Sequence, residues 1–118
     1  MSTIPQEVRL ALALCAVLAV IDIVGPLLPE SEGTIGFGIV AAALVAIAAF
    51  AIARGRRWGY IMGIVVAALH VLTDGIAIFA VDDSLLRVFA VVATGVAAAL
   101  LVVLMRARSN TVRAAPAQ

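Results

Sequence analysis

Three ionisable side chains lie inside long apolar stretches of this sequence: Asp22, His70 and Asp74. The segment "ALHVLTDGIAI" spaces His70 and Asp74 four residues apart, which on a helix puts both on one face, one turn apart. An Asp near the centre of a lipid-embedded helix costs about 2.5 to 3.5 kcal/mol on insertion scales, so such groups are expected to engage each other or a ligand. An imidazole changes charge near neutral pH, and with two carboxyls beside it the set can take up and release a proton or bind a cation. Two carboxylates and an imidazole would suffice chemically for a weak metal site, but no second His and no additional Cys supports one, and neither metal nor cofactor is expected. The structural alternative is that the three side chains hydrogen-bond across helices and fix their register, or face a polar residue of a partner.

Depth sharpens the grouping. Asp22 precedes the end of its apolar window at Leu28 by six residues, roughly 9 Å at the helix rise, and Asp74 precedes Val81 by seven, roughly 10 Å. The carboxyls are therefore expected at similar depth, with His70 one turn deeper. Pro26 has no amide hydrogen to give the carbonyl of Asp22, four residues back, so a carboxyl and an unsatisfied carbonyl share one turn. Thr94 falls near the depth of His70 in the last window and is the expected fourth member of this intramembrane polar cluster.

The elements that must position these groups follow from composition. Of 118 residues 65% are hydrophobic and 13% charged, with a mean hydropathy of +1.23, which excludes an ordinary soluble domain. Four apolar windows, 8–28, 34–53, 58–81 and 85–105, each have about the 20 residues needed to cross roughly 30 Å of hydrocarbon. Lipid offers backbone amides no water, so each window must be a helix. The connections "PESEG", "RGRR" and "DDS" are short enough to force consecutive helices antiparallel. The fold class expected is an all-α polytopic membrane protein: one transmembrane domain, 1–108, with four helices in an antiparallel bundle, then a short, loosely ordered cytoplasmic tail, 109–118. The one cysteine, Cys15, excludes an internal disulfide and any paired-cysteine chemistry. "LALC" lacks the small residue and the long apolar run of a lipoprotein cleavage box, so the first helix is expected to be retained.

Arg9, Arg54, Arg56, Arg57, Arg106, Arg108 and Arg113 fall on one side of the bundle and Arg87 alone on the other, which predicts both termini in the cytoplasm of a multi-pass cell (inner) membrane protein. Glu30, Glu32, Asp82 and Asp83 then form a solvated external rim. Trp58 and Tyr60 follow the arginine turn and are expected as interface anchors. Small residues at spacing four mark the expected helix-packing faces: Gly38, Ala42 and Ala46 on the second helix, Gly59, Gly63 and Ala67 on the third, and Ala90, Thr94 and Ala98 on the fourth.

Function classes narrow accordingly. Nothing resembles a nucleic-acid footprint. An enzyme is disfavoured because no nucleophile and base converge; Thr73 beside Asp74 points to a different helix face. Besides the lipid bilayer, the partners expected are further copies of the chain or a larger membrane complex. Two readings stay open: a small interaction or accessory subunit, or self-associating bundle, held by its polar cluster; and a small oligomeric proton-coupled or cation transporter or channel using Asp22, His70 and Asp74.

Overall fold

A computed structural model describes residues 6–28 and 35–114. They form four helices: α1 (Gln6–Val24), α2 (Ile35–Ala53), α3 (Arg57–Ala80) and α4 (Ser84–Ala114), and no strand among the described residues. All four are long and apolar enough to cross a membrane, over Gln6–Leu27, Gly36–Ala53, Arg57–Ala80 and Ser84–Ser109. The expected rim residues Glu30 and Glu32 lie outside the described residues.

Each helix end has a local cause. Pro26 cannot continue the α-helical ladder, and α1 passes into a 3-10 turn, Gly25–Leu27. Helix α2 closes on Gly55 at φ +72°, where Gly55 N–H donates to Ile52 O (3.0 Å) and Arg56 N–H to Ala51 O (2.9 Å); glycine reaches this left-handed conformation without the side-chain clash other residues meet. At the opposite end Asp83 caps α4, its carboxylate accepting the Leu86 N–H at 3.1 Å. Arg87, the lone arginine of that end, donates to the carbonyls of Ile78 (3.2 Å) and Val81 (2.8 Å), closing the last turn of α3. Asp83 and Arg87 therefore hold helix ends together.

Around the bundle, α1 packs on α2 and α4, and α3 packs on α2 and α4, so α1 and α3 face each other diagonally. Glycines set the close approaches. A Cβ on Gly59 would come within 2.6 Å of the Ala51 Cβ, and one on Gly63 within 2.8 Å of Leu104 Cδ1; Ala67 is fully buried one turn on. Gly59, Gly63 and Ala67 thus lie where α3 packs closely on its neighbours.

On α2 and α4 the spacing-four stripes drift off the face. Gly38 and Ala42 are buried, but Ala46 is exposed, and the buried line runs on through Val45, Ala48 and Ile52. Two successive steps of four rotate a helix by about 80°, whereas alternating three and four stays on one face. On α4 the same rule buries Ala90, Ala93, Ala97, Leu100, Leu104 and Ala107, leaving Thr94 and Ala98 half-buried at the edge. Tyr60 also departs from expectation: it is buried in the core while Trp58 is exposed. Two residues apart on a helix is about 200°, so with Trp58 facing outward Tyr60 faces the bundle.

Helix α4 continues to Ala114, beyond the expected limit of its apolar window at Met105 and into the stretch expected to be a loose tail. Arg106, Ala107 and Arg108 are good helix formers, and Ala107 packs into the core, so the helix has no reason to stop at the end of its apolar stretch. The largest fully buried side chains, Leu18, Ile52, Leu100, Leu104, Val45 and Cys15, fill the bundle from its middle to the arginine turn. Toward Pro26 and Asp83 lie two cavities and the polar side chains Asp22, His70 and Asp74.

Candidate functional site

The buried face of α1 is Val8, Ala11, Cys15 and Leu18, spaced three, four, three, and the next position of that pattern is Asp22. Its carboxyl therefore points into the bundle and meets His70 from the diagonal helix. The His70 Nε2 stands 2.9 Å from both Asp22 Oδ1 and Oδ2, with side-chain exposures of 12% and 10%. The bond crosses the bundle axis and replaces the apolar core at that level.

The other ring nitrogen decides the proton count. His70 Nδ1 is 2.8 Å from the Val66 carbonyl, which can only accept, so Nδ1 carries a hydrogen. A neutral imidazole then has a bare Nε2, and a hydrogen bond between Nε2 and Asp22 requires one further proton, on the ring or on the carboxyl. The pair is electrically neutral in either form. Without that proton, lone pairs would face each other across 2.9 Å between side chains only 12% and 10% exposed. The geometry is that of a two-residue holder for one proton.

Local packing fixes the Asp22 turn. Gly38 of α2 lies over the Asp22 backbone carbonyl, and a Cβ there would meet that oxygen too closely to fit and stand 3.0 Å from Pro26 Cγ. The carbonyl that Pro26 leaves without an amide partner is thereby covered by the glycine backbone of a neighbouring helix, an approach only Gly permits.

Asp74, one turn from His70, is half-buried, interacts electrostatically with His70 and Asp22, and has no hydrogen bond to another described residue. It borders two cavities. One, of about 230 Å³, lies between α2 and α3, with Asp22, His70, Thr73 and Asp74 as its polar lining. Phe37, Val40, Leu44 and Leu69 wall it and are also exposed on the outer surface, so it opens sideways. The second, of about 290 Å³, lies at the end of the bundle, bounded by the Gly25–Pro26 turn, Val81, Leu86 and Phe89. Asp22, Asp74, Phe37 and Ala41 line both. The similar depth read for the two carboxyls agrees with their sharing both spaces.

Thr94 stays apart: its hydroxyl donates to the Ala90 carbonyl at 2.7 Å, and it lines neither cavity. Thr73 likewise donates to the Leu69 carbonyl of its own helix. The stripe of α1 that aims Asp22 inward was not among the small-residue stripes read from the sequence, although its three-four spacing was there to be found. The cluster is thus Asp22, His70 and Asp74, held by α1 and α3, with α2 closing one side.

No protein-family model, curated protein or solved structure matches this sequence.

Proposed function

We propose that this small integral membrane protein is a proton-coupled transport bundle, in which Asp22, His70 and Asp74 take up and release a proton. The observation that carries the reading is the one-proton bond between Asp22 and His70 at the junction of two cavities. A polar pair that only pinned helices needs no opening to the outside. Here the pair is reachable from the end of the bundle and from the side. The excess of arginine at the opposite end supports an inner-membrane orientation with both termini cytoplasmic and the site opening outward.

Proteoliposomes with a trapped pH dye test this reading. After external acidification, with inorganic and small organic monocations trapped inside as exchange partners, internal acidification should be faster than in empty liposomes and should return to the empty-liposome rate with Asp22→Asn or Asp74→Asn, each variant keeping wild-type helix content. A wild-type rate equal to that of empty liposomes, or variants as fast as the wild type, overturns it.

A second reading, self-association or an accessory role in a larger membrane complex, is favoured by one face of α4. Gly95 and Ala99 are exposed at spacing four, and a Cβ on Gly95 would meet nothing within 4 Å, unlike those on Gly38, Gly59 and Gly63. Native mass spectrometry of gently extracted protein separates a homo-oligomer from a stoichiometric complex with a larger partner.

A further inference from the structure

The lateral cavity constrains what besides a proton can reach the site. Its polar lining comes from α1 and α3 alone; α2 contributes Phe37, Val40, Ala41 and Leu44. The second cavity adds only apolar residues of α4: Leu86, Phe89 and Ala90. The charged residues Asp83 and Arg87, at the start of α4, are engaged at helix ends. With the Asp22 and His70 pair neutral, the site is uncharged while Asp74 holds a proton and carries one net negative charge once Asp74 releases it.

Charge and lining eliminate most ligand classes. An anion finds no Arg or Lys lining either cavity. A hard metal cation needs about six oxygen ligands, and no group of three ligating side chains able to hold a metal occurs among the described residues. A neutral apolar molecule would leave the half-buried Asp74 carboxyl without a partner. A monocation with an apolar body satisfies both the carboxylate and the walls. The volume of about 230 Å³ equals about eight water shares of roughly 30 Å³, room for a small organic ion with part of its body at the side opening.

Building on the proton-site reading, we infer that the groove between α2 and α3 binds a small organic ammonium ion, its charged head at Asp74 beside Asp22 and His70 and its apolar body against α2. One cation enters as the Asp74 carboxyl gives its proton to the water at the Pro26 end, so the charge of the site is unchanged while Asp22 and His70 keep their shared proton.

Two probes of the same shape test it on the intact chain in lipid nanodiscs: benzyltrimethylammonium, permanently charged, and neopentylbenzene, its neutral counterpart. The cation should bind at least tenfold more tightly than the hydrocarbon and shift the ¹⁵N signals of His70, the chain's one histidine. Its apparent Kd should rise by about tenfold per pH unit as the site protonates, as one competing proton requires. Asp74→Asn should weaken the cation at least tenfold and leave the hydrocarbon unchanged. Equal binding of the two probes, a pH-independent Kd, or unaltered cation binding in Asp74→Asn overturns the inference. The same spectra keep the two ideas separate: if His70 and Asp22 share a proton but the cation does not bind, only the ligand class fails. If no proton is shared, the underlying reading fails with it.

Discussion

Replacing Asp22 by Ala and by Asn should have unequal effects on stability, and the difference can be worked from the Asp22 and His70 geometry. In Asp22→Ala the 2.9 Å bond is lost and Nε2, on a ring only 12% exposed, is left without a partner. The interhelical bond is worth about 0.6 to 1.7 kcal/mol in a membrane, and an unsatisfied buried polar group costs about 1 to 3 kcal/mol. Together they predict a loss of about 3 kcal/mol. In Asp22→Asn the side-chain amide can donate to the bare Nε2 of a neutral ring whose Nδ1–H still bonds Val66. Only the charge-assisted share is lost, about 1 kcal/mol. The gap of about 2 kcal/mol is roughly a 30-fold difference in the unfolding equilibrium. Removing both partners with apolar groups of similar volume, Asp22→Leu with His70→Phe, should cost less than Asp22→Ala, because no orphaned group remains. Reversible unfolding in mixed micelles of increasing SDS fraction, followed by circular dichroism, measures all three. If Asp22→Ala and Asp22→Asn agree within about 0.5 kcal/mol, or the double variant is the worst of the set, the one-proton argument is wrong.

Two other outcomes follow from packing. Gly38→Ala should cost about 1 to 3 kcal/mol by forcing α2 away from the Asp22 carbonyl, whereas Gly75→Ala, where a Cβ meets nothing within 4 Å, should be neutral or stabilising by up to about 1 kcal/mol in the same assay. The single tryptophan, Trp58, is exposed beside the arginine turn, so its fluorescence should be quenched more by lipids brominated near the headgroup than by lipids brominated at the chain ends; the reverse order contradicts its role as an interface anchor.

Much of the bundle is legible in the sequence because lipid imposes a simple rule: an unbroken apolar run must be a helix, and short turns must reverse it. The depth of Asp22 and Asp74 is readable on the same grounds, by counting residues from the window ends. Which helices are neighbours and which diagonal is not, since four short-looped helices can close into a ring in more than one way. The bond from Asp22 to His70 depends on that choice. Face assignments fail where spacing four is extended too far, as at Ala46 and Ala98, because the helix turns away by about 40° at each step. The pairing of Gly38 with the Asp22 carbonyl is a contact between helices α1 and α2 that no local pattern announces, although Pro26 marks the carbonyl that needed covering.

The most direct test of the shared proton is a pH titration of the His70 ring by ¹⁵N NMR, unambiguous because the chain has one histidine. In lipid bilayers the account predicts that Nδ1 stays protonated throughout, with Nε2 showing a strong hydrogen bond that disappears in Asp22→Ala. A ring that carries its hydrogen on Nε2 alone, or a titration identical in wild type and Asp22→Ala, would contradict it.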